Sequence, residues 1–274
     1  MKRVILGIDA AWSLTQPSGV AVAVNEGQRW RLLAVEASYS CFIKGRSHLK
    51  PAGSSPNARD LLSAAAEKAE APVDLVAIDM PLSRVPITAR RLSDDAISRA
   101  YGARHCSTHS PTSVWPGAIS DRLRAAFTDA GYPLLTGEIR SPGLIEVYPH
   151  PALVELAQAP KRLPYKSQKI GKYWPDVALD KRRSLLLDQW SYIIGLLDKE
   201  IEGVSDLMPP PPPTTRGGAL KAFEDRLDAI VCAWVGICVI EHRARSFGDH
   251  DSAIWVPTEY FSQPRDPFSK VAAT

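Results

Sequence analysis

No run of residues in this chain is both apolar and long enough to cross a bilayer. The longest uncharged apolar stretch, residues 229–240, has 12 positions, whereas a membrane helix needs about 20. At the amino terminus, Val4-Ile5-Leu6-Gly7-Ile8 is cut off by Asp9, which is too short for the core of a signal peptide. Cysteine is scarce. Cys41, Cys106, Cys232 and Cys238 show no paired metal-ligand spacing, and the last two lie in an apolar stretch, as buried thiols do in a reducing cytoplasm. An excess of one charge is also missing. The 33 basic and 30 acidic residues leave +3, too little to imply nucleic acid by itself, so any basic surface must be local. There is no internal repeat and no Gly-x-Ser-x-Gly nucleophile elbow. What remains is 274 residues, 45% apolar and 23% charged, enough for a two- or three-layer core without disulfides or metal. These readings give a cytoplasmic protein without a membrane partner, read as one domain over residues 1–274.

Along the chain, residues 3–11 form an apolar run ending in an acid, the pattern of a central strand. Residues 18–24 and 30–38 follow after short gaps, which predicts a three-strand meander. A Gly-, Ser- and Pro-rich loop at 44–56 precedes a helix over 57–71. Residues 73–78 read as a second strand, apolar but for Asp74 near its start, and it too ends in an acid, Asp79. An insertion at about 80–142 holds helices at 93–101 and 120–130. A strand at 143–148, a helix at 152–158 and a long amphipathic helix at 180–202 come next. A Pro-rich linker at 208–217 contains five consecutive prolines. The last helix runs from 218 or 219 to about 243, residues 253–256 read as an edge strand, and the tail beyond Pro264 reads as frayed. Strands and helices mixed in this order predict an α/β sheet with helices on its faces.

Two strands thus end in aspartate, and a carboxylate there is costly to desolvate unless paired or bound to a cation. If the strands are neighbours, Asp9 and Asp79 sit side by side and repel, and a divalent cation is the usual remedy. Asp225 and Asp228 are three residues apart, so they project from one face near the start of the last helix. Their bland reading is helix-terminus electrostatics alone. Glu146, inside the strand at 143–148, is either a rim ligand or base for water, or a carboxylate satisfied by a nearby arginine. His150 either donates to a phosphate or caps the following helix.

These features together resemble the RNase H-like superfamily, and the Asp-x-x-Asp helix pair resembles its Holliday-junction resolvase branch. More narrowly, the segments GIDAAW, AIDMPLS, LIEVYPHP, LPYK and FEDRLDAIVCAW resemble the family of predicted RNase H-like nucleases of unknown function (domain of unknown function 429), from about residue 2 to 257. The resemblance implies an RNase H-like mixed sheet, a three-strand antiparallel meander plus parallel strands, with helices on both faces. It implies two-metal hydrolysis of a phosphodiester with Mg²⁺ or Mn²⁺, nucleic acid as the partner, and Asp9, Asp79, Asp225 and Asp228 as the metal-binding acids.

Residues 161–174 carry five basic side chains and no acid, interleaved with Tyr165, Tyr173 and Trp174. Lys161, Arg162, Lys166 and Lys169 could track phosphates and Tyr165 could stack on a base. A solvated basic loop is the alternative. His105, Cys106 and His109 lack the second cluster that zinc spacing requires; Ser107, Thr108 and Ser110 could instead contact phosphate, and His109 is a candidate substrate-binding residue. The tryptophans at 12, 115, 174 and 255 read mostly as packing residues. Two other functions compete with the nuclease: a non-catalytic nucleic-acid or protein adaptor, and an actin- or sugar-kinase-like phosphotransferase. The second needs a Gly-rich phosphate turn after the first aspartate, where this chain has Ala10-Ala11-Trp12.

Overall fold

The computed structural model describes residues 2–27, 29–45 and 50–258. The meander is β1 (Arg3–Asp9), β2 (Gly19–Asn25) and β3 (Trp30–Glu36). Helices α1 (Tyr39–Lys44) and α2 (Ala58–Ala69) follow, then β4 (Leu75–Asp79). Next come α3 (Leu92–Tyr101), α4 (Ala118–Asp129), β5 (Gly143–Val147), α5 (Pro149–Leu156) and α6 (Ile170–Tyr173). The chain continues through α7 (Leu179–Glu200), β6 (Ile201–Glu202), α8 (Val204–Leu207) and α9 (Gly218–Ile240) to β7 (Ala244–Gly248) and β8 (Ala253–Pro257).

All eight strands share one mixed sheet in the order β6-β3-β2-β1-β4-β5-β8-β7. The meander is antiparallel, whereas β1, β4, β5 and β8 run parallel. Alternation along the strands feeds two cores. Val4, Leu6 and Ile8 face α1, α2 and α4, while Ile5, Ala77 and Ile145 face α5, α7 and α9. The sequence supplies the starts and stops. Asn57 caps α2 by accepting from the backbone N–H groups of Arg59 and Asp60 at 3.1 and 3.2 Å. Pro149 opens α5 at its first turn, where a proline's missing N–H costs nothing.

Helix α9 is buried from Leu227 to Val239, as expected of a helix apolar on every side. It lies close against the sheet because glycines leave room for its backbone. A Cβ on Gly7 would sit 2.3 Å from the Ala229 carbonyl oxygen, and one on Gly19 only 2.0 Å from that of Asp225. Gly236 on the helix itself is similarly pressed against Ile5.

Several boundaries differ from expectation. The helix expected over 180–202 stops at Glu200, and Ile201–Glu202 pair with Trp30 and Arg31 as β6. Ile201 buries completely there, a gain that outweighs two more helical residues. The last helix ends at Ile240 rather than near 243, and His242 turns left-handed at φ 57° before β7. That strand reads Ala-Arg-Ser-Phe-Gly, too polar for its alternation to show. It makes β8 an inner strand, not the expected edge. Helix α5 begins three residues before the expected position, and α1, six residues between the expected strand at 30–38 and the loop at 44–56, is too short to show a helical period. The tail beyond Pro264 lies outside the described residues. Among those described, no helix is long and apolar enough to cross a membrane.

Substituting Gly19→Ala should destabilise the protein by about 1–3 kcal/mol or more, since backbone must shift to admit the methyl. Gly195→Ala, on an exposed helix position with nothing within 4 Å, should instead stabilise by about 0.5–1 kcal/mol. Urea denaturation reads both, and equal effects would contradict the close approach of α9.

Candidate active site

The carboxyl ends of β1 and β4 carry Asp9 and Asp79 as directly paired residues of neighbouring parallel strands, about 4.8 Å apart at the backbone. Gly19 pairs with Asp9 from the other side and touches the first turns of α9. That contact delivers Glu224, Asp225 and Asp228, all at most 3% exposed, to the same rim. Five carboxylates therefore share one end of the sheet.

Two lysines answer part of this charge. Lys166 bonds Asp228 and lies 3.5 Å from Glu224; Lys221 bonds Asp225 and lies 3.3 Å from Glu224. The Tyr165 hydroxyl donates to Asp228 at 2.7 Å, and the Ser167 backbone N–H donates to Glu224 at 2.6 Å. The Tyr165 carbonyl in turn accepts from Trp190 Nε1 at 2.8 Å, fixing this loop to α7. Among the described residues no hydrogen-bond donor reaches the carboxylate of Asp9 or Asp79.

Protonation follows this division. Desolvation, then the Asp228 and Asp225 charges, holds the Asp9 carboxyl well above its usual range, only partly offset by Lys221 and Lys166. Desolvation raises Asp79 to about 7, with Lys166 opposing and Asp228 and Glu146 adding. Glu224 goes the other way. Desolvation opposes it, yet Lys166, Lys221 and the Ser167 N–H together hold it below the usual value. Lys166 stays firmly protonated, because its acid neighbours overcome its own desolvation.

The other expected residues have different surroundings. Glu146 is buried one strand from Asp79, and Arg91 grips both its oxygens at 2.6 and 2.7 Å while the Leu82 N–H donates at 2.7 Å. It is the arginine-satisfied carboxylate of the two readings, and Arg91 also holds Asp94. Tyr165 is fully buried with its hydroxyl committed, so its ring offers no stacking face. His150 does not cap α5. It is buried with Nδ1 unpartnered, edge-on to Tyr148 and Tyr165. Desolvation, with Lys166, Arg162, Lys169 and His109 nearby, keeps it neutral. Arg162 and Lys169 are half-buried and Lys161 and His109 exposed; Arg162, Lys169 and His109 lie with Lys166 around His150. Burial and the neighbouring Arg162, Lys166 and Lys172 depress Lys169 accordingly.

Sequence reasoning missed Glu224 and Lys221. Their signal was present, since Lys221, Glu224, Asp225 and Asp228 repeat at the 3–4–7 spacing of one helix face. A cavity of about 270 Å³ opens over the acids, lined by Asp9, Asp79, Asp225, Lys221 and the indoles of Trp12 and Trp115. Its acids suit a hard cation: they offer carboxylate oxygens, and two of them meet no hydrogen-bond donor among the described residues. Among the described residues, however, no three acidic, His or Cys side chains form a ready-made metal group. The lysines occupy the oxygens on α9.

Fold and site together define a mixed α/β protein with a carboxylate-rich cleft at the ends of its parallel strands. The chain matches the family model described as Protein of unknown function (DUF429) over residues 7–253, and it belongs to that family. No curated protein and no solved structure matches it.

A carboxyl whose native pKa exceeds its unfolded value binds more protons folded than unfolded, so stability falls as pH rises between the two. For Asp79 that window runs from 3.8 to about 7. In metal-free buffer, Asp79→Asn should gain on wild type by on the order of 1–3 kcal/mol between pH 5 and 7.5. Parallel stability profiles would contradict the assignment. Asp228→Ala should cost about 3–5 kcal/mol by stranding Lys166 and the Tyr165 hydroxyl, read as a lowered urea midpoint.

Proposed function

We propose that this protein is a divalent-metal-dependent nuclease or phosphodiesterase on an RNase H-like fold. The observation that carries the reading is the in-register pair Asp9 and Asp79, without a hydrogen-bond donor among the described residues and faced by the acids of α9. The antiparallel meander joined to parallel strands is also the arrangement the family resemblance implies, here extended by β6 on one edge and by β8 and β7 on the other.

Mg²⁺ or Mn²⁺, two ions in the mechanism the resemblance implies, would supply the Lewis acid for phosphodiester hydrolysis when bound. Asp9 and Asp79 would hold it, with oxygens of Asp225 and Asp228 joining as Lys221 and Lys166 turn aside. Those ammonium groups then stand ready for a phosphate, and Arg162 and Lys169 add positive charge beside Lys166, with His109 close by. Neutral, buried His150 backs these groups without adding charge. Glu146 has a supporting part, fixing Arg91 and the chain at Leu82 immediately after β4.

One observation favours a second reading, a nucleic-acid-binding adaptor that keeps the fold without turnover: lysines already neutralise the acids of α9. The kinase-like alternative has no support, because a glycine-rich turn is missing after Asp9.

Purified protein with Mg²⁺ or Mn²⁺ should cut DNA, RNA or a branched substrate. Asp9→Asn should lower the rate at least about 100-fold without unfolding the chain. If none of these substrates is cut and calorimetry detects no divalent ion, the nuclease reading fails. Tight binding without cleavage would favour the adaptor.

A further inference from the structure

The cavity over the acids has a second wall that the metal chemistry does not use. Trp12 lies three residues beyond Asp9, and Trp115 comes from the insertion, yet their rings meet edge to face with centroids 4.9 Å apart and planes at 73°. Both line the cavity with Asp9 and Asp79. In such a pair one ring gives only its edge, so its faces stay uncovered by the other. Trp115 is 61% exposed and its neighbour Val114 88% exposed, a large apolar area to leave in water.

The loop that presents Trp115 is held tightly. Thr112 accepts through Oγ1 from the Trp115 N–H at 3.0 Å, its own N–H donates to the Trp115 carbonyl at 2.8 Å, and its carbonyl accepts from Gly117 at 3.2 Å. Gly117 takes φ 54°, and a Cβ there would sit 2.2 Å from the Ser113 carbonyl oxygen. The backbone that carries the exposed indole is thus held in place. Two exposed amides, Gln16 and Gln168, complete the wall, and among the described residues neither side chain has a hydrogen-bond partner.

We infer that the Trp12–Trp115 wall is a subsite for one unpaired nucleobase of the strand whose phosphate lies at the acids. This inference rests on the nuclease or nucleic-acid-binding reading and names its substrate class. An indole face stacks on any base, and a primary amide can both donate to and accept from a base edge. At about 270 Å³, near the lower end of small-ligand sites, the cavity admits a nucleotide-sized group but no helix or folded surface. Bases inside a duplex are already stacked and paired, so only a single-stranded, flipped or junction base can reach this wall. The chain should therefore prefer single strands or branch points over plain duplex.

The test uses the full chain and a labelled oligothymidylate, with and without one abasic site, against a duplex of equal length. Anisotropy in EDTA reads binding apart from cleavage. Wild type should prefer the single strand, and Trp115→Ala should weaken it by about 5- to 100-fold. Trp115→Tyr should recover most of the loss, since a phenol ring also stacks. Oligonucleotide should quench tryptophan fluorescence more in wild type than in Trp115→Tyr. Single-strand binding unchanged in Trp115→Ala, or duplex bound as tightly as single strand, would overturn the subsite. Base-dependent binding without hydrolysis in Mg²⁺ or Mn²⁺ would sink the nuclease reading and leave the subsite standing. Cleavage indifferent to Trp115 would do the reverse.

Discussion

The close seating of α9 on the sheet governs the rest of this structure. Side chains at positions 7 and 19 would collide with the helix backbone, and glycine at both lets the helix descend until Asp225 and Asp228 reach the level of Asp9. The same contact buries three carboxylates of the helix beside the half-buried Asp9 and Asp79. Their charge has to be met from nearby, and the chain meets it unevenly. Lys166 and Lys221 serve the acids of the helix, whereas Asp9 and Asp79, locked in register by their strands, receive no hydrogen-bond donor among the described residues.

That asymmetry separates stability from function. A well-packed core needs no buried acids, and burying them unpaired costs free energy. The Glu146–Arg91–Asp94 cluster shows how the same chain satisfies carboxylates that serve the fold: two guanidinium bonds and a backbone N–H leave little unmet. Asp9 and Asp79 lack such partners, and desolvation lifts both carboxyls toward protonation. Destabilised, adjacent and opening on a cavity, they have the character of a site kept for a ligand rather than for the fold.

Much of this was legible in the residues. Apolar runs ending in Asp9 and Asp79 marked central strands, and the three-residue spacing of Asp225 and Asp228 marked one helix face. Periodicity carries that information directly, because each strand or helix writes its own buried face. What could not be read was pairing across the fold. Glu146 and Lys166 both stood out as candidates, but only the fold shows that one meets Arg91 and the other Asp228. Tyr165 looked like a stacking ring in a basic loop, and burial turned it into a donor to Asp228. Trp12 and Trp115 read as packing residues because nothing local signals that positions 103 apart in sequence meet at one cavity. β7 escaped because its sequence is half polar and, as the edge strand of the sheet, it has no buried residue.

The central claim is that Asp9 and Asp79 form the binding end of a divalent-metal site, with the lysines as exchangeable partners of α9. A crystal soaked in Mn²⁺ and measured at the manganese edge tests this most directly. The account predicts an anomalous peak bridging Asp9 and Asp79 on the side facing Asp225 and Asp228, with at least one lysine moved off its acid. No peak there, with Lys166 and Lys221 still bonded to Asp228 and Asp225, would contradict it.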